Sequence, residues 1–129
     1  AAGHPAGVLA ITVLTHLTDA DLAATGVSGG SGRQTARLAK LAAAAGVEGV
    51  VCAVRELGDV AQVAPGLLRV TPGIRPPGFD SDDQSRVSSP EEASARGADF
   101  IVVGRPITRA KDPAAVARQM VAAATRIQS

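Results

Sequence analysis

Four short runs of nearly unbroken apolar residues punctuate the chain: VLAITVL at 8–14, GVVCA at 49–53, LLRVT at 67–71 and FIVVG at 100–104. None alternates cleanly between apolar and polar positions. A strand with one solvated face alternates, whereas a continuous run fits a strand buried on both faces, as in a parallel sheet. The intervening stretches carry helical signals. Thr18-Asp19-Ala20-Asp21 offers an N-cap with an acid three residues on, which predicts a short helix from that point. Leu38, Leu41 and Ala45 then follow helical spacing, with Gly46 placed to end the helix. Val54, Leu57, Val60 and Ala61 share one side of a helix predicted over 55–63. Ser89-Pro90-Glu91-Glu92 combines a cap, proline at the first helical position and glutamate at the capping-box position, opening a helix that should stop at Gly97. Asp112-Pro113 repeats the cap-plus-proline signature before a last helix towards Gln128.

Between these elements, 26–32 is turn-prone with four glycines, and 76–84 is polar, aperiodic and proline-containing, so it reads as a long exposed loop. Residues 1–7 suit a linker or a cut end. The resulting order is strand-helix four times over, an α/β pattern of parallel strands joined by right-handed crossovers. Two of the strands end alike. One runs into Thr71-Pro72-Gly73-Ile74-Arg75-Pro76 and the other into Gly104-Arg105-Pro106. A glycine turn bearing an arginine, made twice, reads as a double grip on one anion, since a guanidinium donates a forked pair of bonds to phosphate oxygens. Four units are too few to close a (β/α)8 TIM barrel, yet the loops after strands seven and eight of such barrels often build a phosphate site. The chain is therefore read as strands 5 to 8 of a barrel, a half barrel whose first half is missing.

Composition narrows the partners. Apolar residues make up 46% of the 129, enough for a core, but with two Phe and no Trp or Tyr there are no stacking platforms for single-stranded nucleic acid. A net charge of +1 gives no basic footprint for a duplex or an anionic membrane. No apolar run approaches the ~18 residues of a membrane span, and no charged segment precedes an apolar one at the start, so a cytoplasmic protein without a signal peptide is expected. Cys52, the single cysteine, lies in an apolar run and reads as a buried, inert thiol.

Other candidate residues are weighed against plainer roles. Arg75 reads as a ligand-contacting arginine, against a surface arginine pairing with Asp80 or Asp82. His16 has no acid at a suggestive spacing and reads as a partly exposed loop histidine rather than a general base. The Asp80-Ser81-Asp82-Asp83 cluster lacks the glycine and distal glutamate of a calcium loop, so a solvated loop is favoured over a metal site. Gly29-Gly30-Ser31-Gly32 lacks the Gly-Lys-Ser/Thr ending of a phosphate loop and reads as a flexible connector.

Taken together, 9–15 (LAITVLT), Gly49-Val50-Val51-Cys52, the Thr-Pro-Gly-Ile-Arg-Pro block, Asp83-Gln84 with Arg86-Val87, and Val103-Gly104-Arg105-Pro106-Ile107-Thr108 closely resemble the C-terminal half of orotidine 5'-phosphate decarboxylase of the bacterial type. The resemblance runs from about Val8 to Ala117. It implies a cofactor-free lyase that removes CO2 from orotidine 5'-phosphate to make UMP in pyrimidine biosynthesis, and a homodimer in the intact protein. By the same resemblance, Thr15, Arg75, Gln84, Gly104 and Arg105 match substrate-binding positions. Arg105 and Gln84 would hold the 5'-phosphate, Gly104 would offer a backbone N–H, and Thr15 would lie against the substrate. The family's catalytic Asp-x-Lys-x-x-Asp segment has no counterpart here. The chain's two lysines, Lys40 and Lys111, stand in other contexts, so no catalytic residue is assigned and the chain alone is expected to be inactive. Two alternatives stay open: a sugar-phosphate relative on the same fold, such as hexulose-phosphate synthase, and a non-catalytic half barrel that self-associates.

Overall fold

Strands β1 (Leu9–Ile11), β2 (Gly49–Val51), β3 (Leu68–Thr71) and β4 (Phe100–Ile101) lie side by side in chain order, every pair parallel. The computed structural model describes residues 6–76, 79 and 87–125. Helices α1 (Asp19–Ala24) and α2 (Gly30–Ala44) join β1 to β2. A 3-10 turn (Val54–Glu56) and α3 (Leu57–Val63) join β2 to β3, and α4 (Pro90–Ala95) lies between β3 and β4. After β4 come α5 (Arg105–Thr108) and α6 (Pro113–Thr125).

The strand order never reverses, and that has a geometric consequence. Crossovers of one hand between strands laid down in one direction put every helix on the same face of the sheet. Accordingly α2, α3, α4 and α6 contribute to a single core, in which Ala39, Val50, Cys52, Leu57, Val60 and Ala93 are fully enclosed. No described helix covers the other face. Register places Leu9 beside Gly49 and Leu68, and Ile11 beside Val51, Val70 and Phe100. On that face Leu9 is 44%, Ile11 57%, Leu68 41% and Phe100 60% exposed. The expectation of strands buried on both faces is therefore overturned: helices cover one side, and the side that would point into the interior of a closed barrel is open.

Caps form largely where the sequence places them. Thr18 and Asp21 make a reciprocal capping box on α1, and Ser89 accepts the Glu92 N–H at 3.1 Å. Asp112 accepts the Ala115 N–H at 2.9 Å, and Gly46, at φ 77°, takes the left-handed conformation just past α2. Three features depart from expectation. The glycine stretch 29–32 is not a connector, because α2 already begins at Gly30, where the Asp19 carboxylate accepts the Ser31 N–H at 2.9 Å. Leu41 does not face the core. It is 67% exposed, and α2 instead packs through Ser31, Thr35, Ala39 and Ala42, small side chains that allow close approach. The short α5 has no signal in the sequence, since four residues are too few to show a helical period. The reading of 1–7 as a linker falls mostly outside the described residues.

Candidate functional site

The chain leaves β3 through Thr71-Pro72-Gly73, where Gly73 adopts φ 76°, a left-handed conformation that a residue with a Cβ rarely takes. Ile74, wholly buried, then anchors the turn in the core. The Arg75 N–H donates to Ser88 O at 3.0 Å and the Ser88 N–H to Gly73 O at 3.2 Å, so both ends of the segment between them are tied together. The Val102 N–H donates to Thr71 O at 2.9 Å and holds the exit of β4 against the exit of β3. The two arginine-bearing turns thus become neighbours.

Between them lies a pocket of about 240 Å³, lined by Pro72, Gly73, Arg75, Val102, Gly104 and Arg105. Three of the five substrate-binding residues expected from sequence, Arg75, Gly104 and Arg105, meet there. Two arginines and no carboxylate are among the described residues that line it. Gly104 opens onto empty space, with nothing within 4 Å of where a Cβ would stand. Arg105 begins α5 and is half-buried. Arg75 is not a surface arginine: it is 8% exposed, its Nη1 donates to Ile74 O at 3.1 Å, and its guanidinium lies 5.6 Å from the centroid of the Phe79 ring.

Thr15 sits elsewhere. It is buried in the turn closed by the Leu17 N–H donating to Leu14 O at 3.0 Å, four residues beyond the end of β1, and it does not line the pocket. From β1 to β3 is two strand spacings, roughly 10 Å. Gln84 and the Asp80–Asp83 cluster, including the candidate Arg75 partners Asp80 and Asp82, lie outside the described residues. His16 is exposed. Burial, then the nearby Glu56 charge, pushes the Cys52 thiol up to about 12, as an inert buried cysteine requires. No group of His, Cys, Asp and Glu suited to a metal ion occurs among the described residues, and no described helix is long and apolar enough to cross a membrane.

A second polar cluster, unmarked in the sequence, stands on the same rim beyond β1 and β2. Glu56 is 1% exposed and accepts from Thr35 Oγ1 at 3.2 Å, while Arg55 Nε approaches its other oxygen at 3.6 Å. Arg55 also donates to Ser31 Oγ at 2.8 Å and lies 4.0 Å from Asp19. These contacts fasten the start of α1 and α2 to the turn after β2. A single glutamate in Val-Arg-Glu-Leu carries no pattern that would have revealed it.

Comparison with known proteins gives a consistent result. The orotidine 5'-phosphate decarboxylase / HUMPS family profile matches residues 1–120. An orotidine 5'-phosphate decarboxylase of Methylorubrum populi is 51% identical over 116 residues, covering 89% of this chain and 50% of that protein. One from Thermobifida fusca is 47% identical over 116 residues, again 89% of this chain and 50% of the relative. Among solved structures, the Lactobacillus acidophilus orotidine 5'-phosphate decarboxylase superposes with a TM-score of 0.77 at 34% identity, over 96% of this chain and 52% of that one. The chain spans about half the length of the relatives it matches.

Proposed function

The chain belongs to the orotidine 5'-phosphate decarboxylase / HUMPS family, and from that membership we propose that it is the phosphate-binding half of a cytoplasmic enzyme converting orotidine 5'-phosphate to UMP. In this reading the whole of 1–129 is one half of a (β/α)8 barrel. Its strands β1 to β4 are the barrel's strands 5 to 8, and the Asp/Lys catalytic array comes from the other half. The observation that carries the reading is the convergence of Arg75, Gly104 and Arg105 on one pocket at the exits of the last two strands, the position at which such barrels often hold phosphate.

The roles follow from position. Arg105 and Arg75 neutralise the 5'-phosphate, and Gly104 leaves room for it. Gln84 is a further phosphate ligand by the family resemblance alone. Thr15, two strands away, meets the part of the nucleotide remote from the phosphate. Gripping a phosphate that does not react lets binding energy act at the pyrimidine, where CO2 departs. The other half supplies the lysine that protonates the carbon left behind.

Complementation tests this directly. The chain is mixed with an N-terminal half bearing the Asp-x-Lys-x-x-Asp segment, assembly is verified by sedimentation, and loss of orotidine 5'-phosphate is followed by absorbance. The expected result is no turnover from either half and measurable turnover from the pair. A folded, assembled pair without activity would overturn the reading. Two other readings have support. The open apolar face favours self-association of half barrels, which sedimentation of the chain alone would reveal as a dimer. The HUMPS branch of the family favours a sugar phosphate, and tighter binding of ribulose 5-phosphate than of UMP would select it. The Ile74-Arg75-Pro76 block favours the nucleotide.

A further inference from the structure

We infer that Asp99 is a positioning residue for the turn carrying Gly104 and Arg105, acting from the opposite end of β4 by fastening that strand to β3. Its consequence for a ligand rests on the anion site proposed above. By its own length β4 is poorly secured. It has two residues, it stands at an edge of the sheet, and its register with β3 consists of Val70 beside Phe100 and Thr71 beside Ile101. Just before it, Asp99 exchanges two bonds with a single residue of β3. Its N–H donates to Arg69 O at 2.9 Å, and its carboxylate accepts the Arg69 N–H at 2.8 Å. Arg69 Nε lies 3.6 Å from the same carboxylate oxygen.

The other edge of the sheet carries the same device. Gly46-Val47-Glu48 leads into β2 as Gly97-Ala98-Asp99 leads into β4, and both glycines are left-handed, at φ 77° and 87°. The Glu48 N–H donates to Val8 O, and its carboxylate accepts the Val8 N–H. Each acid thus ties an edge strand to its inner neighbour, β1 to β2 and β4 to β3. A peptide N–H at the foot of a strand has no ladder partner until the neighbouring strand begins, and a carboxylate supplies one through a charge-assisted bond. A slip of one residue would turn every side chain of the strand to the other face, so bonds that pin the foot of β4 also fix what lies beyond it. Its far end is held by the Val102 N–H donating to Thr71 O at 2.9 Å, and Gly104 and Arg105 follow two residues on. Holding that turn in place before an anion arrives lowers the ordering cost of binding.

Amide hydrogen exchange of the 129-residue chain tests the clasp, with each edge as the control for the other. Asp99→Ala is expected to speed exchange of the Val102 N–H about tenfold, as for loss of a bond to a charged group. It should leave the Thr12 N–H, which donates to Val51 O at 3.1 Å beyond β1, at the parental rate. Glu48→Ala should do the reverse. Asp99→Asn keeps an acceptor oxygen and should restore most of the protection at Val102. Equal acceleration at both edges in either variant, none at Val102 in Asp99→Ala, or an Asp99→Ala chain that does not fold would each overturn the inference. On the complemented protein, Asp99→Ala should weaken inorganic phosphate and UMP by about threefold to tenfold, and Glu48→Ala should change neither. Affinity untouched by Asp99→Ala, or lowered equally by Glu48→Ala, would overturn the positioning role. A parent assembly that binds neither ligand would sink the anion site itself, while the exchange rates would still decide whether Asp99 holds β4.

Discussion

One sheet presents two faces made by alternate residues of the same strands, and they have opposite fates. On one, Val50 and Cys52 are sealed beneath four helices. On the other, Leu9, Ile11 and Phe100 stand open although they are just as apolar. The difference is not one of composition. It arises because strands added in a single direction by right-handed crossovers receive helices on one side only. An open apolar face of this kind marks a surface for a partner, and under the reading proposed above that partner is the rest of a barrel.

The largest expected effect tests the contrast itself. Leu57→Ala, in the sealed core, should destabilise the chain by about 2–5 kcal/mol in urea unfolding. Ile11→Thr, on the open face, should change it by no more than about 0.5 kcal/mol, because nothing covers that side chain. Once an N-terminal half is bound, the second substitution should weaken the assembly measurably. Equal costs in the isolated chain would erase the distinction between the faces.

Next in size is the pocket on the rim. Arg105→Ala should lower affinity for UMP by about 10- to 150-fold, the equivalent of roughly 1.5–3 kcal/mol for hydrogen bonds to a charged group. The urea midpoint should hardly move, since the side chain is half-exposed. A large fall in stability would make Arg105 a structural residue instead.

Smaller effects come from titration. Burial raises the Cys52 thiol from 9.0 to about 12, so the folded state resists ionisation that the unfolded chain accepts. Stability should therefore be lost as pH rises from about 9 towards about 12, and Cys52→Ser should flatten that slope. Thiol reagents at mildly alkaline pH should label Cys52 only on unfolding. Labelling at the rate of a free thiol under native conditions would contradict the sealed face. The smallest effect lies at α1. Hydrogen bonds from the Thr18 backbone and hydroxyl hold the Asp21 carboxyl below its usual 3.8. The contribution of that cap is present above 3.8 and is lost as pH falls through the lowered value, seen as slight helix loss by circular dichroism that Asp21→Asn would abolish.

Much of the chain is legible without its structure. The four apolar runs correspond to four parallel strands, and Thr18, Ser89 and Asp112 cap the helices they precede, because capping depends on residues within one turn of each other. Arg75 and Arg105 can be paired from the likeness of their two turns. Features made by distant residues cannot be read in this way. Helical spacing assigns Leu41 to the core wrongly, because it defines a stripe without saying which neighbours occupy it, and α2 approaches the sheet through its smaller residues. The linkage of Glu56 to Thr35 and Arg55 requires two elements to meet.

The sequence by itself determined the alternation of strands and helices, their caps and the chemistry of the two arginine turns, all set by short-range stereochemistry and hydrogen bonding. Tertiary structure alone decided that those turns line one pocket, that Arg75 is buried, and that Leu9, Ile11, Leu68 and Phe100 stand exposed while Val70, in the same row as Ile11 and Phe100, does not. The shared pocket and the exposed strand positions depend on strand order and crossover hand, which place residues 30 positions apart side by side and send the helices to one face.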